Sequence, residues 1–188
     1  MNYMLNELVV KRYSPRAFSA ATISQAQLLL LLEAARKAPS SSNVQPWRFV
    51  HALRQEKTSF AEIANCLVDG NRIWAPKAAA LVVAIAKETL ENGKTNHYAA
   101  YDTGTATAWL TVQATSMGLF VHQMGGFDRE KTVIALKIPE GYKPMAVLAI
   151  GYLGDPKQLP EANQESEILR TSRLPMEEIA FQGTFVAQ

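Results

Sequence analysis

The chain divides into segments whose apolar residues recur with either a helical or a strand pattern. The spacing predicts a helix over 24–37, where Ser24 and Gln27 form a capping box before a run of five leucines. The apolar run 79–86 lacks alternation, which is typical of a strand buried on both faces. The other predicted strands are 47–53, 119–124 and 145–153, and the other predicted helices are 3–9, 55–67, 97–118 and 128–136. Four strands alternating with helices indicate an α+β or mixed α/β domain.

The predicted helix 97–118 has an unusual composition. Ala100, Gly104 and Ala108 recur every four residues and therefore share one face. The other faces carry large apolar side chains, among them Trp109 and Leu110, so little of the helix is suited to water. A face without bulk allows another backbone to approach closely. That backbone belongs either to the same chain or to a second subunit.

Composition narrows the class of protein. With 188 residues, 48% of them apolar, the chain is long enough to bury one substantial core without a disulfide or metal. The single cysteine, Cys66, cannot form an internal disulfide and fits a reducing cytosol. The net charge of +2 is spread along the chain, which disfavours a nucleic-acid partner. We see no signal peptide and no apolar run long enough for a bilayer, so we expect a cytoplasmic protein without a membrane partner.

Several kinds of active site are excluded by what the sequence lacks. His51, His97 and His122 are far apart and have no ligand spacing, so no metal site is expected. His51 and His122 fall in predicted strands and are interpreted as structural. No nucleophile elbow, phosphate-binding P-loop or dinucleotide glycine fingerprint occurs. A chain with anion-binding loops but no nucleophile is typical of a protein that relies on a bound cofactor.

Two loops collect groups that can bind an anion. Arg12, Ser14 and Arg16 alternate, so in an extended loop they project to one side and offer two guanidinium groups and a hydroxyl. A second loop offers hydroxyls and an amide just after a helix end, from Ser40, Ser41 and Asn43. Taken alone, the first loop is better explained as a solvated basic turn, and the second is as readily a simple loop.

Four segments together resemble the nitroreductase family of FMN-dependent oxidoreductases. They are KRYSPRAF (11–18), PSSSNVQPWRF (39–49), GLFVHQMGGFD (118–128) and RTSRLP (170–175), which occur in the family's order and span nearly the whole chain. The resemblance implies one FMN-binding domain over 1–188, of α+β class, with a mixed sheet of four to five strands and a long buried central helix. It also implies that the tail 154–188 wraps onto a dimer. The short chain suggests a compact subgroup without the larger helical insertions.

The resemblance also implies which residues bind the phosphate end of FMN. Arg12 and Ser14 are expected near the phosphate and ribityl chain, with Tyr13 between them contributing backbone. Arg16 is expected to reach the N1/O2 edge of the ring, where positive charge stabilises the reduced flavin. Arg173 is expected to close on the phosphate from the C-terminal side.

Other implied contacts surround the flavin ring. One loop, shared with the second subunit, contributes Pro39, Ser40, Ser41 and Asn43. The amide of Asn71 is expected at the pyrimidine edge. A strand end whose backbone N–H points at flavin N5 contributes Gln123, Met124, Gly125 and Gly126. Two positions depart from the family pattern, because Thr171 and Trp74 stand where cations are frequent. The positive charge near N1 is therefore expected to rest mainly on Arg16.

The function implied is that of a homodimeric FMN enzyme in which the flavin, and no side chain, carries the chemistry. NADH or NADPH would donate hydride, and a small-molecule acceptor (a nitroaromatic, a quinone or another flavin) would then take it at the same face. Three alternatives stay open at this point. They are a flavin-mediated oxidase, a flavin-binding protein without turnover, and an adaptor for nucleic acid or protein.

Overall fold

A computed structural model describes residues 4–169 and 171–185, and within them four strands form one sheet in the order β1–β2–β4–β3. The strands are β1 (Trp47–Leu53), β2 (Ala80–Lys87), β3 (Phe120–Met124) and β4 (Tyr142–Gly151). The helices are α1 (Glu7–Lys11), α2 (Gln25–Arg36), α3 (Lys57–Asn65), α4 (Asp69–Arg72), α5 (Ala99–Ser116), α6 (Arg129–Ala135) and α7 (Glu161–Ile168). Short α4 and α7 are the helices that the sequence pattern did not predict.

Side-chain caps fix where several helices begin. The predicted capping box at Ser24 and Gln27 is present, and Asp128 accepts a hydrogen bond from the backbone N–H of Lys131. The first helix differs from the prediction of 3–9. Asn6 accepts a hydrogen bond from the N–H of Leu8 at 2.9 Å, so the helix begins at Glu7 and ends at Lys11. Residue 3 lies outside the described residues.

Strand β2 is buried on both faces because helices cover the sheet on two sides. Leu81, Val83 and Ile85 pack in one core with α3, while Ala80, Val82 and Ala84 pack in the other with α2 and α5. The predicted α+β class is confirmed, but the three strand pairs among the described residues are antiparallel rather than mixed. Helices on both faces bury an antiparallel central strand as fully as a parallel one, so the apolar run does not reveal strand direction.

The central helix α5 is long, as predicted, but only one side of it is buried. That side packs against α2 and the sheet and includes Ala106, Leu110 and Ala114. The face with Ala100, Gly104 and Ala108 is exposed in this chain, together with three large side chains, Tyr101, Trp109 and Val112. Packing among the described residues of one chain therefore does not explain why this face lacks bulk.

The C-terminal segment runs along the surface after strand β4. As predicted, it contains no long helix, although α7 forms eight residues of it. Beyond α7 several of its large apolar side chains are exposed, among them Leu174 at 64% and Phe185 at 79%. The expected contact of this tail with a second subunit stays a prediction. In the described part of the chain, no helix combines the length and apolar character needed to cross a bilayer.

Candidate functional site

A cavity of about 540 Å³ lies where the loop after α1, strand β3 and the C-terminal tail meet. Its polar lining comes from all three elements: Arg12, Tyr13, Ser14 and Arg16 from the loop, His122 from β3, and Ser166, Glu167, Thr171 and Arg173 from the tail. The fold thus places the predicted residues from the two ends of the sequence around one space. We call this space the arginine cavity.

The arginine cavity is electropositive. Within the described residues, no carboxylate lies within ion-pairing distance of the Arg16 or Arg173 guanidinium group. Arg12 donates a hydrogen bond to the Ser14 hydroxyl at 3.4 Å, and Arg16 donates one to the Ser166 hydroxyl at 3.4 Å. Guanidinium groups that lie next to hydroxyls are suited to bind an oxyanion.

The ring of Tyr13 makes an aromatic contact with strand β3. It packs edge-on against the ring of Phe120, with 5.1 Å between ring centroids. This contact attaches the loop of residues 12–18, which we call the arginine loop, to the first residue of β3. The sequence expectation that Tyr13 contributes backbone rather than its side chain agrees with this arrangement but is not tested by it.

His122 lines the arginine cavity, a position that the sequence did not reveal. Its Nδ1 lies 2.9 Å from the carbonyl oxygen of Pro15, so Nδ1 carries the proton and donates it. The ring also packs against Trp74 at 4.6 Å. Burial lowers the pKa of His122 below its ordinary value, and the charge of Arg16 lowers it further, against the opposing effect of the Pro15 hydrogen bond. His122 is therefore neutral near pH 7.

Acidification should destabilise the protein through His122. Because its pKa is lower in the folded chain, the unfolded chain binds the extra proton first as the pH falls below about 6.5. The loss of stability should be absent above that pH and should grow until the folded-state pKa is reached. Urea unfolding between pH 8 and pH 5 should show this loss, and the variant His122→Gln should lose less stability. The assignment would be contradicted if His122→Gln kept the wild-type dependence of unfolding free energy on pH while the exposed-site control His97→Gln reduced it.

The turn after β3 presents open backbone. In the described part of the chain, no acceptor is bound to the N–H of Gly125 or of Gly126. A Cβ at Gly125 would meet nothing within 4 Å, whereas one at Gly126 would lie 2.7 Å from Asn71 Nδ2 and 3.0 Å from Val68 Cγ2. Asn71 Nδ2 donates to the Gly126 carbonyl at 2.9 Å. The predicted asparagine and glycines therefore lie together, and their flavin contacts stay predictions.

The side chains of Gln123 and Met124 contact other parts of the protein. The Gln123 amide bonds to hydroxyls on α5, donating to Thr111 at 3.2 Å and accepting from Thr107 at 3.3 Å. Met124 is only 2% exposed and belongs to the core. The backbone contact with the flavin that is expected at this strand end stays a prediction.

The loop after α2 has a strained backbone held against α5. Ser42, Asn43 and Gln45 all adopt positive φ angles, of 48°, 56° and 51°. The Ser41 N–H donates to the Asp102 carboxylate on α5 at 3.1 Å, which fixes the loop beside that helix. Such clusters of left-handed non-glycine residues are commonly found at functional sites.

This loop is not part of the arginine cavity within one chain. Asn43 lines a separate cavity of about 590 Å³ together with Arg48 and Lys87. The predicted contacts from Pro39, Ser40, Ser41 and Asn43 therefore do not complete the arginine cavity of their own chain. Their contact with the flavin of a second subunit, which the resemblance implies, stays a prediction.

The two departures from the family pattern have different outcomes. Thr171 lines the arginine cavity and offers a hydroxyl where a cation is frequent. Trp74 is 1% exposed and packs in the core against Phe18 and His122, so its side chain does not replace a cation there. Among residues 4–169 and 171–185, no cluster of three or more histidines, cysteines and acids is placed to hold a metal ion.

Comparison with known proteins agrees with this fold. A model of the nitroreductase family matches residues 9–152, so the chain belongs to the nitroreductase family. A crystal structure described as an oxidoreductase containing FMN superposes with a TM-score of 0.94 at 35% identity, covering 100% of this chain and 96% of that one.

Two relatives extend the comparison. A protein of Archaeoglobus fulgidus, provisionally named NADH dehydrogenase/NAD(P)H nitroreductase, is 27% identical over 84% of this chain and 90% of its own length. An uncharacterised 15.4 kDa protein of Mycolicibacterium smegmatis, from the ask 5' region, is 42% identical over 66% of this chain and 83% of its own length.

Proposed function

We propose that this chain is an FMN-dependent oxidoreductase that uses NADH or NADPH to reduce nitroaromatic, quinone or flavin-type acceptors in alternating half-reactions. The observation that carries the proposal is the arginine cavity, where Arg12 and Arg16 meet Arg173 from the other end of the chain. Family membership and the FMN-containing relative support the choice of ligand. The provisional name of the archaeal relative supports the choice of electron donor.

The residues present fit FMN. A phosphate monoester is an oxyanion that guanidinium forks and hydroxyls bind well, and Arg12, Ser14 and Arg173 would hold it. The cavity volume of about 540 Å³ falls in the range of about 300–1,000 Å³ that is usual for small-ligand sites. Gly125 and Gly126 would leave the ring face and its N5 edge open to a second molecule.

Bound FMN would accept hydride from the nicotinamide and pass it to the acceptor. The chain would bind and orient the cofactor and keep Arg16 as positive charge beside it. Because the flavin would carry the chemistry, no side chain is assigned a covalent or catalytic role. The one thiol, Cys66, is buried at 1% exposure.

We also propose that the enzyme acts as a homodimer, with the loop after α2 reaching the partner's flavin and the tail wrapping onto the partner. The support is the exposed apolar face of α5, where Tyr101 is 76% and Trp109 48% exposed around the small residues. Because Ser41 is bound to Asp102 on α5, the loop lies beside that helix. A partner covering α5 would therefore be close to the loop as well.

A bulky residue at Gly104 should prevent this association. A Cβ at Gly104 meets none of the described residues within 4 Å, so Gly104→Leu should fold as a monomer and should also gain helix propensity. Analytical ultracentrifugation should show a dimer for the wild type and for the surface control Glu130→Leu, and a monomer with reduced FMN content for Gly104→Leu. A wild-type monomer with full FMN occupancy would contradict the shared site.

Anaerobic titration of the purified protein tests the function. A yellow protein whose flavin absorbance near 450 nm is bleached by NADH or NADPH, and restored by a quinone or nitroaromatic, is expected. Tight FMN binding without bleaching by either nucleotide would favour an oxidase or a flavin-binding protein instead. A colourless protein that FMN does not reconstitute would end the proposal.

A further inference from the structure

The carboxylate of Glu167, on α7, bonds to the backbone of the arginine loop. Both of its oxygens accept the N–H of Arg16 at 2.9 Å, and one also accepts the N–H of Ala17 at 3.0 Å. The two partners are 151 and 150 residues away in sequence, so this contact joins the C-terminal tail to the N-terminal loop. Charge-assisted bonds from backbone N–H groups to a carboxylate are among the stronger hydrogen bonds in proteins.

Glu167 does not neutralise Arg16 or Arg173. Glu167 lines the arginine cavity, yet within the described residues it forms no ion pair with the guanidinium groups of Arg16 or Arg173. Its hydrogen bonds go to main-chain donors instead. The negative charge of a carboxylate would by itself weaken anion binding in this cavity. The hydrogen bonds to the backbone therefore account for the place of Glu167 in the cavity lining.

The contact also limits how far from the loop the following residues can lie. Thr171 and Arg173 come within six residues of Glu167, and six extended residues span at most about 20 Å. The tail is bound to the same loop upstream, where Gly154 donates to the Ala17 carbonyl and Gln158 donates to the Phe18 carbonyl, each at 2.9 Å. Among the described residues, Glu167 is the last of these contacts before Arg173. Without it, the segment that carries Thr171 and Arg173 would lose its nearest described attachment to the loop.

We propose that Glu167 is a positioning residue of the arginine cavity. Its carboxylate fixes the Arg16–Ala17 backbone and the end of α7 against each other, and this sets Arg173 on the side of the cavity opposite the loop. The identity of the ligand rests on the function proposed above. The contact between Glu167 and the loop does not, so the two can be tested separately.

The test compares Glu167→Gln with the matched control Glu165→Gln in the full-length chain. Glutamine keeps the size of glutamate but turns one acceptor oxygen into an N–H₂ donor facing the donors of Arg16 and Ala17. Glu165 is exposed on the same helix, so its replacement makes the same charge change without the contact. Three quantities are measured: hydrogen exchange of the Arg16 and Ala17 amides without flavin, the rate of FMN release, and the melting temperature.

The expected result is specific to Glu167→Gln. The Arg16 and Ala17 amides should exchange about tenfold faster or more, and FMN should dissociate about tenfold faster, the effect expected for losing one charged hydrogen bond. Both rates should be unchanged in Glu165→Gln. A merely structural role would lower the melting temperature without a selective change in FMN release, and that outcome would overturn the proposal.

Other outcomes are equally decisive. Unchanged amide exchange in Glu167→Gln would show that the contact is absent, whether or not the protein binds FMN. Faster exchange with slower FMN release would show that Glu167 acts through its negative charge instead. If the wild type binds no FMN, the proposed function fails while the exchange measurement still decides the contact.

If Glu167→Gln does not fold, the variant Glu167→Asp takes its place, because it keeps the charge on a shorter side chain. It should show the same two changes more weakly, and wild-type values for it would refute the proposal.

Discussion

Replacement of Arg173 by alanine is expected to weaken FMN binding by about 1.5–3 kcal/mol, the range for a hydrogen bond to a charged group. The reason is that Arg173 lines the arginine cavity without an ion-pair partner among the described residues, so its fork is available to the phosphate. Flavin fluorescence titration measures the dissociation constant. The deficit should shrink at high salt, because a phosphate contact is partly screened.

Riboflavin provides the control ligand for this prediction, since it has the same ring and ribityl chain but no phosphate. Arg173→Ala should change riboflavin affinity little, while its FMN affinity falls. The protein control is Arg36→Ala, which removes an exposed arginine on α2 that is paired with Glu33. Equal losses for FMN and riboflavin would assign Arg173 to the ring or to folding, and unchanged FMN affinity would remove the tail from the site.

A methyl group at Gly126 is expected to destabilise the protein by about 1–3 kcal/mol, the usual cost of overpacking. The added Cβ would lie 2.7 Å from Asn71 Nδ2 and 3.0 Å from Val68 Cγ2, so the Asn71 amide must move from the Gly126 carbonyl. Backbone strain does not contribute, because the φ angle of Gly126 is outside the left-handed region. Urea unfolding measures the free energy, and FMN titration shows whether displacing Asn71 also weakens binding.

Gly125 is the matched control, one residue earlier in the same turn. A Cβ there meets nothing within 4 Å, so Gly125→Ala should change stability by less than about 0.5 kcal/mol. Its methyl group would project into open space beside the strand end, where we propose that the flavin ring lies. Slower reduction by NADH at unchanged stability is therefore expected. Equal destabilisation by the two substitutions would show that the turn is packed differently.

Much of the fold was predictable because local chemistry determines it. Ser24 and Asp128 cap helices through side chains that are visible in the sequence, and the unbroken apolar run of β2 indicates burial on two faces. Strand direction was not predictable in the same way, since an apolar run looks alike in parallel and antiparallel neighbours. Helix α7 was missed because it has no buried residue and no apolar stripe.

The site was predictable only in part. Residue spacing alone could not join Arg12 to Arg173, and that expectation came from the family resemblance. His122 and Glu167 were missed because each depends on a contact with a backbone atom of the arginine loop, more than 100 residues away. A lone histidine in a strand, or a glutamate on a polar helix, gives no signal in the sequence. The packing of Gln123 was also hidden, because it depends on hydroxyls of α5 that only the folded chain brings beside β3.

A crystal structure of the protein grown with FMN would show whether arginines from both ends of the chain bind one phosphate. Phosphate oxygens are expected about 2.7–2.9 Å from guanidinium nitrogens of both Arg12 and Arg173, with the glycine turn beside the flavin ring. A phosphate bound elsewhere, or Arg12 and Arg173 tens of ångströms apart when every neighbouring protomer is counted, would contradict it.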